Sequence, residues 1–172
     1  MGIESLTNIR DAIKVPSPDE IDTERLWIAS EIERIGEEKL LELIAAAVEV
    51  RSNAYVPYSG YPVGAAVLCS SGEIYAGANT EVVSYSQTGH AESNAINTAI
   101  NEGEAGNGRQ FVVALVVCHS GESAPCGACR QETVEHCDNA LVIDVDPEGR
   151  PLAVTSLKIL LPFSFTPTHL GK

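Results

Sequence analysis

The sequence predicts an α/β domain, a three-layer α/β/α sandwich with helices on both faces of a mixed five-stranded sheet. Three observations predict it. Segments of helical and strand periodicity follow in the order helix, two strands, helix, strand, helix, strand, strand and a short last helix. The run Phe111 to Cys118 is almost wholly apolar, as a central strand covered on both faces should be. A chain of 172 residues, 44% hydrophobic, is long enough to bury one sizeable core.

The elements follow in order. Residues 1–35 read as an acidic N-terminal extension and 36–172 as the main domain. Within the extension, Val15-Pro16-Ser17-Pro18-Asp19-Glu20 is a turn or linker signal. Ile21, Trp27, Ile28 and Ile32 line one helical stripe over about 22–34, suited to packing on the core or on a neighbouring subunit. From Gly36 to Ser52 the residues Leu40, Leu41, Leu43, Ile44, Ala47 and Val48 recur at helical spacing. Ala54 to Gly60 is a Tyr/Pro/Ser loop. Pro62–Cys69 and Glu73–Ala78 flank Ser70-Ser71-Gly72 as a hairpin. His90–Asn101 reads as a helix with Ala91, Ala95, Ile96, Ala99 and Ile100 on its buried side, and 102–108 as a loop. After the 111–118 strand come a helix at Cys126–His136, a strand at Leu141–Val145 and a turn at 147–150. A short strand near Leu152–Val154 and a helical turn at Ser156–Leu161 complete the chain.

Composition narrows the function. Eleven Lys and Arg against 24 acids leave a net charge of −13, half of the acids falling in residues 1–49. Gripping a nucleic acid polymer requires neutralising phosphates with cations, so polynucleotides and highly phosphorylated nucleotides are poor substrates here and an uncharged small molecule is the default. No apolar run reaches the length of a membrane span, and the N-terminus has no basic region followed by an apolar core, so no membrane association and a cytoplasmic location are expected. An odd count of five cysteines suits free thiols in a reducing compartment; Cys69, Cys118 and Cys137 read as small buried hydrophobes.

The chemistry concentrates in a divided motif, His90-Ala91-Glu92 and Pro125-Cys126-Gly127-Ala128-Cys129. One imidazole and two thiolates are ligand types that Zn²⁺ accepts, and three protein ligands leave the fourth tetrahedral position open, as a catalytic site requires. Glu92 fits a closed site poorly and is well placed to move protons on a water at that open position. Each half alone is ambiguous. A lone His is more often simply structural, and a lone Cys-x-x-Cys can be a redox dithiol or half of a closed zinc site, with Cys118 or His119 as a fourth ligand. Both ligand segments fall at helix starts, where the dipole favours ionised sulfur, and residues three apart share a face.

These motifs, with Ala54 to Ala66, Gly77-Ala78-Asn79-Thr80-Glu81, Ser84-Tyr85, Arg130-Gln131 and Leu160 through Phe165, occur in the order and approximate spacing of one family. Over about residues 36–170 the chain resembles the cytidine deaminase family. The resemblance implies a catalytic domain that hydrolyses cytidine and 2′-deoxycytidine to the uridines and ammonia, in pyrimidine salvage. It implies zinc held by His90, Cys126 and Cys129, with Glu92 as the proton carrier. Asn79 and Glu81 match the ribose-binding pair, Tyr61 the aromatic beside the pyrimidine, and Ala91 a backbone contact to the base. Small members are homotetramers, sometimes dimers, in which Tyr85 and Phe165 match positions that reach into a neighbouring site. On composition alone Glu81 would be a solvated acid and Phe165 a core aromatic.

Three departures stand out. Many tetrameric members carry Cys in place of His90 and Arg in place of Ser93; a His-Cys-Cys site is neutral where three thiolates are not, and Arg130 would support the thiolates. The family's Asn-x-Glu-Asn-Ala segment is here Asn79-Thr80-Glu81-Val82-Val83, in which the larger apolar Val83 replaces a small residue near the subunit boundary and would narrow the pocket. The acidic extension has no counterpart in the minimal domain. The alternatives are a deaminase of a modified cytosine nucleoside, such as a nucleoside antibiotic, and a non-catalytic zinc module.

Overall fold

The computed structural model describes residues 18–121, 124–162 and 164–171. The Val15–Ser17 part of the turn signal and the side chain of Ile21 lie outside the described residues. Five helices are described: α1 (Pro18–Ile35), α2 (Glu37–Val50), α3 (Ala91–Asn101), α4 (Gly127–Glu135) and the single turn α5 (Leu157–Leu160). The strands are β1 (Gly64–Cys69), β2 (Ile74–Ala78), β3 (Val112–Cys118), β4 (Leu141–Val145) and β5 (Pro151–Ser156). They form one sheet in the order β2-β1-β3-β4-β5, antiparallel throughout except for the parallel β3–β4 pair. The predicted mixed five-stranded sheet is the one observed.

Period-two alternation divides the sheet residues between two cores. On one face Ala66, Leu68, Ala114, Val116, Leu141 and Ile143 pack with Leu40, Leu43, Ile44 and Ala47 of α2 and with Ile28 and Ile32 of α1. On the other, Ala65, Val67, Leu115, Val117 and Val142 pack with Ala91, Ala95, Ile96 and Ala99 of α3 and Leu157 of α5. Small residues let the helices lie close: a Cβ on Gly77 of β2 would come within 2.4 Å of the Ala95 backbone nitrogen in α3.

Two boundaries differ from expectation. The first described helix includes Pro18, so Pro18-Asp19-Glu20 belong to it and not to a turn. Strand β5 runs on to Ser156, because Thr155 and Ser156 pair with Val142 and Leu141 although their side chains are polar. Buried Ser156 is satisfied there by donating to Glu24 Oε2 of α1 (2.7 Å). Ile28 and Ile32 of the α1 stripe pack into the core of the same chain, with Trp27 against it. Among the described residues no helix is long and apolar enough to cross a membrane.

The topology gathers the motif. Strands β2 and β3 are both antiparallel to β1 and therefore run in the same direction. Their C-terminal ends lie at one end of the sheet, and the loops leaving them lead to the starts of α3 and α4.

Candidate active site

His90 and Cys126 each occupy the extended residue just before a helix, with φ/ψ of −77°/153° and −65°/164°. Their carbonyls accept the first bonds of those helices, from Asn94 N (2.9 Å) and Arg130 N (3.0 Å). Cys129, three residues into α4, returns to the same face. His90 Nδ1 lies 3.5 Å from Cys126 Sγ and 3.3 Å from Cys129 Sγ, and the sulfurs are 3.4 Å apart. A tetrahedral zinc with ordinary bond lengths spaces such donors by roughly 3.5–3.8 Å, so the set fits that ion. Among the described residues this is the one grouping of metal-binding side chains. Neither suggested fourth ligand joins it. Cys118 lies in the opposite core and donates to the Asp146 carbonyl (3.4 Å), and His119 Nε2 faces Asp144 Oδ1 at 3.6 Å.

At Cys129 burial works against the ionisation that a helix start favours. Burial, and then the negative charge of Glu92, push its thiol well above the ordinary range. A buried sulfur beside a carboxylate is anionic only with a cation in contact. Sequence spacing carries no information on that burial.

Glu92 is 5% exposed and shares a cavity of about 260 Å³ with His90 and Cys126. Tyr61, Asn79 and Ala91, all expected at the substrate, line the same cavity; so do Thr88, His119 and Pro125, of which neither Thr88 nor His119 was expected to face a substrate. His119 was legible only as a possible ligand, and Thr88 carries no sequence signal. The Asn79 amide is engaged at both ends, accepting from Val63 N (2.8 Å) and donating to the Tyr61 carbonyl (3.0 Å), which holds the Tyr61 loop in place. The Tyr61 hydroxyl in turn donates to the Ser120 carbonyl (2.7 Å).

Other expected residues stand outside the cavity wall. The Glu81 carboxylate accepts from the backbone N–H groups of Tyr58 (2.9 Å) and Ser59 (3.1 Å). The Ser59 hydroxyl foremost, and these N–H groups after it, outweigh burial and hold Glu81 below the ordinary carboxylate range. In the window between the lowered value and the ordinary 4.5 the unfolded chain binds more protons, so stability rises with pH there. The contribution is complete above that window and lost as pH falls through the lowered value. Acid unfolding followed by fluorescence is expected to be less steep for Glu81→Gln; superimposable profiles would refute a role for this carboxylate in acid stability.

Tyr85 and Phe165 are 72% and 57% exposed, and neither lines the cavity. The Tyr85 ring meets Tyr58 edge-on at 6.0 Å, and Phe165 stacks on His169 at 5.4 Å. Val82 and Val83 are also exposed and outside the wall, so within one chain they do not narrow the pocket. Arg130 reaches two carbonyls, Pro125 O from Nε (2.6 Å) and Leu160 O from Nη1 (2.8 Å). Its hydrogen bonds pin the loop before Cys126, where support of the sulfurs themselves was expected.

The described geometry has close counterparts. A match to the family described as the cytidine and deoxycytidylate deaminase zinc-binding region spans residues 37–144. The chain is 38% identical over 131 residues to a cytidine deaminase of Sporosarcina psychrophila, covering 76% of this chain and 93% of that one. It is 40% identical over 119 residues to a cytidine deaminase of Mycobacterium tuberculosis, covering 69% and 84%. The crystal structure of cytidine deaminase from Burkholderia pseudomallei superimposes with a TM-score of 0.65 at 37% identity, over 72% of this chain and 97% of the other. Matches of this extent, running through both halves of the zinc cluster and most of the sheet, make the chain a member of the cytidine deaminase family.

Proposed function

We propose that the protein hydrolyses cytidine and 2′-deoxycytidine to uridine and 2′-deoxyuridine, releasing ammonia, with His90, Cys126 and Cys129 as the zinc ligands and Glu92 as the catalytic acid and base. The observation that carries this is the convergence of three zinc-type donors and one buried carboxylate on a single cavity. When bound, zinc supplies the Lewis acidity that brings the pKa of a coordinated water toward 7. Glu92 accepts a proton from the attacking water and delivers it to the pyrimidine ring nitrogen; it then takes the proton of the hydroxyl added at the ring carbon and gives it to the amine, which leaves as ammonia while that hydroxyl becomes the carbonyl. Tyr61 offers an aromatic face to the base. Asn79 keeps that ring in place through its bonds to Tyr61 and Val63, and its remaining donor and acceptor capacity is available to a ribose hydroxyl. Among the described residues lining the cavity there is no Lys or Arg, which favours a free nucleoside over a nucleotide.

The exposed Tyr85 and Phe165 support a homotetramer in which neighbours complete each site, and five free cysteines, two of them needed as thiolates, support a cytoplasmic setting. Residues 36–172 make the catalytic domain in this proposal, and 1–35 an acidic extension whose α1 helix completes the core. The zinc-loaded chain incubated with cytidine is expected to produce uridine, and light scattering to give four 18.3 kDa chains. No uridine with zinc bound would overturn the substrate assignment; a monomer with full turnover would overturn the tetramer alone.

A further inference from the structure

The zinc cluster is assembled from two helices whose first turns must stay side by side: one nitrogen from the start of α3, two sulfurs from the start of α4. The two helices are attached to different parts of the fold. α3 lies tightly on β2 at Gly77, whereas the first turn of α4 is held through Arg130 to the carbonyls of Pro125 and Leu160. Beyond the ligand cluster itself, the Ser93 hydroxyl joins them by donating to Glu132 Oε2.

Its place in the sequence is the informative part. Ser93 is three residues past His90, and Glu132 three residues past Cys129. A step of three keeps a side chain on the same helix face and moves it roughly 4.5 Å along the axis. The Ser93–Glu132 bond therefore lies one turn behind the ligands on the same seam between α3 and α4. Both side chains are half-buried, and a hydroxyl donating to a carboxylate belongs to the stronger class of hydrogen bond.

We propose that Ser93 and Glu132 form a latch that sets the register of the two helix starts and so holds His90 and the two cysteines at zinc-binding spacing. The proposal rests on the ligand assignment made above. Both are positioning residues, acting through the ligands. The donors stand 3.3–3.5 Å apart with the latch closed, and a site whose ligands are held by the fold spends less binding energy on ordering itself.

The test is competition for Zn²⁺ between metal-stripped full-length protein and a chromophoric chelator, beside the melting temperature of the stripped protein. Wild type is expected to bind one zinc per chain, and Ser93→Ala to bind it about 10-fold more weakly with little change in melting temperature. Ser93→Thr, which keeps a hydroxyl, is expected to restore the affinity, and Ser93→Ala in a Glu132→Ala background to cost nothing further. A Ser93→Ala affinity within about twofold of wild type would overturn the latch, whatever happens to the melting temperature. So would a loss that Ser93→Thr fails to restore. A wild-type chain that takes up no zinc would overturn the ligand assignment and the latch with it.

Discussion

Glu92→Gln is expected to lower kcat for cytidine by about 10²- to 10⁴-fold, the usual contribution of a positioned acid–base group, while zinc content stays at one per chain. Glutamine keeps the shape and can hydrogen-bond the ring, but it cannot accept a proton and return it. KM should move far less than kcat, because the lost interaction is made in the transition state. The side chain is buried in the first turn of α3, in the wall of the cavity that holds His90 and Cys126. Paired measurements of kcat and of zinc by metal analysis decide the matter: turnover of Glu92→Gln within a few-fold of wild type would refute the role given to this carboxylate.

Removing a ligand should have a still larger effect. Cys126→Ala is the cleaner of the two cysteine variants, since Cys126 is exposed and Cys129 buried. An exposed substitution away from other contacts changes stability by no more than about 0.5 kcal/mol, so metal-free Cys126→Ala should melt close to metal-free wild type. It should nevertheless retain little zinc and show no measurable turnover. In wild type, added zinc should raise the melting temperature in a concentration-dependent way, since an ion that binds only the native chain stabilises it by mass action. That increment should vanish in the variant. A Cys126→Ala protein with one zinc per chain and ordinary activity would remove Cys126 from the ligand set.

The sheet was legible through local spacing, and the cluster, whose His90 stands 36 and 39 residues from the two cysteines, through the residue types of its divided motif and the family that motif resembles. Alternation along 64–69 and 112–118 assigns side chains to two faces, and His90, Cys126 and Cys129 sit at helix starts where a short step brings side chains together. Contacts with distant partners that no motif marks were not legible. Arg130 lies one residue past Cys129, which suggested a bond to sulfur, yet its hydrogen bonds go to carbonyls 5 and 30 residues away. The Ser93–Glu132 bond spans 39 residues, and no pattern in either segment announces it. Pro18 carried the opposite difficulty: proline signals a turn and a helix start equally well, and only the packing of Ile28 and Ile32 distinguishes them. The polar ending of β5 hid two further strand residues, because Ser156 is satisfied by Glu24, 132 residues earlier in the chain.

That last bond also sets an order in time. Glu24 leaves the ribosome 132 residues ahead of Ser156, a wait of roughly 7–26 s at ordinary rates of synthesis. The helix that carries Glu24 has no finished surface to sit on during that interval, since Ile28 and Ile32 share their core with residues of β1, β3 and β4 that are still being added. The first described helix thus completes its packing late, after the far edge of the sheet has been made.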